Sequence, residues 1–206
     1  MTPAAGAALV AERGRAMGAA CERSPGVMIA VLRLPLETIE VALADRTNVH
    51  VANHNAPGQT VIAGPAADVD AVVPRLEDAG GHVRRLAVEG PFHTPAMAPA
   101  MVAVDRLLQR LPTREPAVPL VTGQSAQVLT TASEVAAALI EGILAPVQWV
   151  AVQRRLVELG VELAIEVGSA GVLAAMARRT VPDLRVVPVT TPGDIAALLD
   201  ATPAAA

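Results

Sequence analysis

Tyrosine is missing from this 206-residue sequence, and Phe92, Trp149 and Cys21 are the single phenylalanine, tryptophan and cysteine. So few aromatic rings leave no stacking platform for nucleic-acid bases, and the core must be filled by Ala, Val and Leu. One cysteine excludes an internal disulfide and a CxxC metal site, and fits a reducing cytoplasm. Cys21 reads as a core-packing residue and Trp149 as a packing anchor. No run of about 18 uncharged apolar residues occurs, so no membrane-spanning helix is expected. Glu12, Arg13 and Arg15 interrupt the N-terminal segment where a secretory signal needs an unbroken apolar stretch. The 16 basic and 20 acidic residues are dispersed, for a net charge of −4, with no polybasic stripe to attract nucleic acid or an anionic membrane. What is present is apolar mass: 52% hydrophobic residues, enough for one substantial domain or for a core with a smaller inserted lobe.

The apolar pattern predicts a helix over residues 4–23, ended by Ser24-Pro25-Gly26. Strands follow at 27–33, 50–54, 59–63 and 82–88, with helices at 36–44 and 67–79 and a turn at Asn55-Ala56-Pro57-Gly58. This β-α-β-β-α-β order suggests a ferredoxin-like lobe over about residues 26–89. Beyond it the pattern predicts a helix at 95–111, a short strand at 118–121, and helices starting at Ala132 and Pro146. A strand at 163–167, a turn at Gly168-Ser169-Ala170-Gly171, a helix at 172–178 and a strand at 184–187 complete an α/β alternation. Residues 201–206 read as a frayed tail.

Of the four histidines, His93 has the most constrained setting, in Gly90-Pro91-Phe92-His93-Thr94-Pro95 directly after the last strand of the lobe. A rigidly held imidazole suits general acid–base work because its ordinary pKa lies near neutrality. A loop histidine without chemistry fits the same local features, and both readings stand at this level. His50, His54 and His82 have no Cys or carboxylate partners at ligand spacing, so no metal site is expected. No G-x-S-x-G elbow occurs to present a nucleophile. Ser169 has Gly171 after it but Val167 in place of the first glycine, and reads as a helix N-cap. Ser125 has Gly123 before it but Gln127 after it. Arg13, between Glu12 and Arg15, reads from pattern alone as part of a solvated helix face.

Four segments taken in order carry a resemblance: AERGRAM at 11–17, ANHNAPGQTVIAG at 52–64, GPFHTP at 90–95, and APVQW followed by IEVGSAGVL within 145–173. Together they resemble the malonyl-CoA:acyl carrier protein transacylases and the acyltransferase domains of polyketide synthases, over about residues 7–190. The resemblance implies a partial α/β-hydrolase-like core with an inserted ferredoxin-like small subdomain. Residues 1–25 and 90–200 would belong to the large subdomain and 26–89 to the small one.

It also implies roles. His93 matches the family's general base and acid, and Arg13 matches the arginine that binds the free carboxylate of a malonyl group. Phe92 resembles the residue of malonyl-selective members, where methylmalonyl-selective ones commonly carry a smaller serine. Gln148 falls in the segment whose backbone carbonyl orients the histidine. The family's GHSxGE nucleophile elbow has no counterpart in the 206 residues, so no nucleophile is expected within them. That segment would have to come from a partner chain or from upstream, and a sheet face is expected to lie open without it.

The implied activity is ping-pong transfer of malonyl from coenzyme A to the phosphopantetheine thiol of an acyl carrier protein. No metal or redox cofactor is implied, and the location is the cytoplasm. The alternatives are a non-catalytic acyl-thioester or carrier-protein docking module, and a hydrolase of acyl thioesters.

Overall fold

A computed structural model of the chain describes residues 1–168 and 171–201. The chain divides into two compact units, Met1–Val152 and Gln153–Ala206.

The first unit opens with helix α1 (Pro3–Arg23), whose N-cap Thr2 accepts a hydrogen bond from the Ala5 amide, with proline in the first turn where its missing N–H costs nothing. Strand β1 (Val27–Leu32), helix α2 (Leu36–Leu43), strands β2 (His50–Ala56) and β3 (Gln59–Gly64), helix α3 (Ala66–Asp78) and strand β4 (His82–Arg85) follow. The four strands form an antiparallel sheet in the order β2-β3-β1-β4.

Alternation along β1 sorts the two faces of this sheet. Ile29 and Val31 join Ile39 and Leu43 of α2 and Val69, Val72 and Leu76 of α3 in one core. Met28 faces the other way with Ala52, Val61 and Ala63, and half-buried Phe92 packs against that group. Burying an Ile, Leu or Val side chain of this kind stabilises by roughly 1.5–3 kcal/mol each. A further core joins Leu9, Met17 and Ala20 of α1 to Met97 and to Ala100, Val104 and Leu108 of α4 (Ala98–Leu108), with Ile143.

β4 is shorter than its apolar pattern suggested. The Leu86 amide still donates to the Met28 carbonyl at 3.0 Å, but the paired register stops at Ile29 and Arg85. The chain then leaves the sheet toward Gly90.

β5 (Leu120–Val121) and β6 (Val128–Leu129) make a two-stranded hairpin. Helix α5 (Ala132–Glu141) starts on a reciprocal capping box between Thr131 and Glu134. Helix α6 (Trp149–Glu158) begins later than the expected Pro146. The amides of Val147 and Gln148 are taken by the Ala52 and Gly123 carbonyls at 2.8 and 2.7 Å, which holds those residues out of the helix.

In the second unit, β7 (Leu163–Val167) and β8 (Arg185–Val189) pair in parallel, with α7 (Val172–Thr180) between them in sequence. Helix α8 (Pro192–Ala201) follows. The Glu166 carboxylate, buried, accepts from the Leu173 and Ala174 amides, both at 3.0 Å, and these bonds hold it below the usual carboxylate range. Asp194 caps α8 in the same manner, accepting from the Thr190 and Thr191 amides at 2.8 Å, and those bonds bring it down to about 2.

Both depressed values carry the same sign. The stabilisation is complete above the unfolded carboxyl's pKa and is lost as pH falls through the folded one. Asp194→Asn should therefore lower the melting temperature at about pH 6, and the difference from wild type should shrink as pH falls through about 2 and vanish only below it. Melting curves followed by circular dichroism across that range provide the check.

The fold is mixed α/β. The expected N-cap Ser169 and the tail beyond 201 lie outside the described residues.

Candidate active site

The segment after β4 is built to hold one side chain. Gly90 has φ +147°, and a Cβ there would come within 2.1 Å of the Cys21 sulfur. Cys21 is half-buried against the α1–α4 core, and burial pushes its thiol pKa up, so it serves as packing. Gly90→Ala combines that overlap with a backbone conformation that L residues avoid, and should cost roughly 1–3 kcal/mol of stability in urea unfolding.

Pro91 follows, buried, with its ring where a Gly26 Cβ would meet it at 2.8 Å. The Thr94 hydroxyl is buried, donates to the Pro91 carbonyl at 2.6 Å and accepts from the Ala96 amide at 3.3 Å. Between these fixed points His93 sits in the left-handed region at φ +57°. A non-glycine residue there is uncommon and persists where the surroundings over-determine it, as at active sites.

The His93 Nδ1 lies 3.0 Å from the Ala145 carbonyl oxygen. A carbonyl can only accept, so neutral His93 carries its proton on Nδ1 and presents Nε2 as a lone pair. Burial lowers the pKa of the ring, and the positive charge of Arg13 lowers it further. The Ala145 carbonyl and the Gly142 backbone oppose the shift without cancelling it. The net result is an imidazole that is neutral near pH 7 with one basic nitrogen directed away from its orienting carbonyl. No hydroxyl or thiol hydrogen-bonds this ring among the described residues.

The orienting carbonyl corrects one expectation, that Gln148 would supply it. The Gln148 carbonyl instead accepts the Val152 amide at 3.0 Å in the first turn of α6, so it is already committed. Ala145 was the overlooked residue. Its position directly before Pro146 was the available signal, because a residue ahead of proline is pushed into extended backbone, with its carbonyl out of any helix.

Arg13 comes from α1, half-buried, and its charge reaches His93 from a different element of the same unit. Among the described residues Arg13 makes no hydrogen bond or ion pair, whereas exposed Arg15, two residues on, pairs with Glu12. Phe92, next to His93, packs at once against the sheet face and the α1–α4 core. Ser125 lies in the β5–β6 turn, its hydroxyl 2.7 Å from that of Thr122. Among the described residues no three His, Cys, Asp or Glu side chains converge to hold a metal ion, and no helix is long and apolar enough to cross a membrane.

A half-buried, carbonyl-oriented imidazole on a mixed α/β fold, with an arginine within electrostatic reach, is an arrangement suited to proton transfer beside an anionic group. The chain belongs to the acyl transferase domain family, whose model matches residues 1–199. It is 30% identical over 192 residues to the malonyl CoA-acyl carrier protein transacylase of Bacillus subtilis, which covers 90% of this chain and 60% of that protein. The structure of the malonyl-CoA:acyl carrier protein transacylase from Xanthomonas oryzae superposes with a TM-score of 0.90 at 34% identity, over 96% of this chain and 64% of that one. A malonyl-transacylase solved in complex with its type II polyketide synthase acyl-carrier protein gives a TM-score of 0.87 at 29% identity, over 93% of this chain and 64% of the other. This chain thus spans about three-fifths of the length of the curated relative.

Proposed function

We propose that this chain contributes the acid–base and carboxylate-binding half of a malonyl-CoA:acyl carrier protein transacylase site, with His93 and Arg13 as its working residues. The observation that carries this reading is the pair itself: a neutral, Nδ1-anchored imidazole and an arginine with no counter-ion among the described residues, close enough for the charge of one to lower the pKa of the other. An unpaired guanidinium is matched in shape and charge to a carboxylate, which a malonyl thioester has and an acetyl thioester does not.

The reaction then divides as follows. A serine hydroxyl on a GHSxGE elbow, supplied in cis or in trans, gives its proton to His93 Nε2 as its oxygen attacks the malonyl thioester carbonyl. The imidazolium returns that proton to the departing coenzyme A thiolate. In the second half, the carrier-protein phosphopantetheine thiol gives its proton to His93 and attacks the malonyl ester, and the serine oxygen takes the proton back. Every step is a proton transfer or an acyl exchange, so neither a metal nor a redox cofactor is required, and coenzyme A enters as part of the substrate.

Phe92 is read as limiting branching at the malonyl C2 by its bulk. The β-α-β-β-α-β lobe over about 26–89, with strand order β2-β3-β1-β4, is read as the family's ferredoxin-like subdomain. Residues 1–25 and 90–200 are read as part of a large hydrolase-like subdomain, and the cytoplasm as the site of action.

Transfer of labelled malonyl from coenzyme A to a carrier protein tests this, with the chain joined to or mixed with a segment bearing the elbow. Malonyl should transfer in preference to acetyl and methylmalonyl. The 206 residues alone should give no malonyl adduct by intact mass, and an adduct on Ser125, Ser169 or Cys21 would contradict the assignment of roles.

A further inference from the structure

The carbonyl that orients His93 sits on a loop whose backbone donors are all committed, and the commitments lead to the edge of the four-stranded sheet. From Gly142 to Ala145 the amides bond back into the end of α5: Gly142 to Ala138, Ile143 to Ile140, and Leu144 and Ala145 to Glu141. Pro146 has no amide. The Val147 amide then donates to the Ala52 carbonyl at 2.8 Å, the His54 amide donates to the Val147 carbonyl at 2.8 Å, and the Gln148 amide donates to Gly123 at 2.7 Å.

Ala52 and His54 belong to β2, an edge strand of its sheet. The β2–β3 register slips between Val51 and Asn53 and again between His54 and Ala56, so the strand bulges where its outer side meets the loop. Asn53 and Val147 form a parallel bridge there. An edge strand's free carbonyl and amide are thereby spent on the loop two residues from the carbonyl that faces His93.

We propose that β2, through the Ala52 carbonyl and the His54 amide, is a positioning element for His93: it pins Val147, and with it the Ala145 carbonyl that keeps the ring in its Nδ1–H tautomer. The inference rests on the reading of His93 as the general base for its functional meaning, but its test does not. Positioning within a few tenths of an ångström decides whether Nε2 meets a proton donor, and free imidazole in water favours the opposite tautomer. The lobe formed by β1–β4 thus carries two connections to the base, one along the chain through Gly90-Pro91 and one through β2 and Val147.

The test is nitrogen NMR of the full chain labelled with ¹⁵N-histidine, with the His93 signals assigned by their loss in His93→Gln. Wild type should show a protonated Nδ1 and an unprotonated Nε2 above the ring's pKa. Val147→Pro deletes the donor to Ala52, as does a backbone ester at residue 147 made with the α-hydroxy analogue of valine, which leaves the side chain intact. Either change should convert His93 to a mixture dominated by the Nε2–H form, whereas Val147→Ala, which keeps the amide, should retain the wild-type spectrum.

A folded ester variant with the wild-type tautomer would overturn the proposal, and so would a Val147→Ala variant that loses it. If Val147→Pro does not fold, the ester decides. Failure of transfer activity with an intact tautomer response would count against the proposed reaction and leave this inference standing.

Discussion

Replacing His93 with alanine should lower malonyl transfer by about 10²- to 10⁴-fold in a protein supplied with the nucleophile elbow, the usual cost of losing a general base. The fold should survive. His93 is only half-buried, and its ring bonds to a backbone carbonyl rather than filling a core. Relief of its left-handed backbone would come only with glycine, so His93→Gly offers a second variant with the same chemical deletion and less strain. Transfer and thermal melting are to be measured on one preparation, and near-normal transfer by a folded variant would remove His93 from the mechanism. The pH dependence gives an independent reading. Burial and the Arg13 charge hold the imidazole below its ordinary 6.5, so the acid limb of the transfer rate should fall below that value and disappear with the imidazole.

Arg13→Ala should lower malonyl transfer by about one to two orders of magnitude, from the loss of a charge-assisted hydrogen bond worth roughly 1.5–3 kcal/mol. Acetyl transfer, which offers no carboxylate, should be nearly unchanged. An equal loss for both acyl groups would mean that Arg13 serves the structure and not the substrate. The variant makes a second, signed prediction through His93. Removing a cation that disfavours the imidazolium should move the His93 pKa upward, displacing the acid limb of the pH profile toward neutrality. Arg13→Lys keeps the charge but not the planar fork. It should therefore preserve the position of the limb while recovering malonyl transfer only in part.

Local order was legible from residue patterns to a considerable depth. The short unbroken apolar run Val27-Met28-Ile29-Ala30-Val31, bounded by turn residues, the helical spacing along α1 and the glycines closing α3 state their own conformations, because a buried strand is short and apolar throughout while an amphipathic helix carries one apolar stripe. The GPFHTP segment also announced a constrained histidine, since proline and glycine restrict the backbone wherever they occur. Shorter or polar-initiated elements escaped. β6 is two residues long, too short for a period to register, and α8 begins at a Thr-x-x-Asp cap between Thr191 and Asp194 that an apolar scan passes over.

Relations between distant segments needed the folded chain. Arg13 on α1 looks like one more charge on a solvated helix face until the packing of α1 brings it within electrostatic reach of His93, across 80 positions of sequence. The choice of Ala145 over Gln148 as the orienting carbonyl follows from which amides compete for which oxygens. Val152 claims Gln148 while β2 claims Val147, and neither competition is written in the APVQW segment itself. Side-chain identity is a property of one position and can be read there. A backbone carbonyl is the same at every position, so only the three-dimensional arrangement of donors around it decides which one is left to hold the histidine.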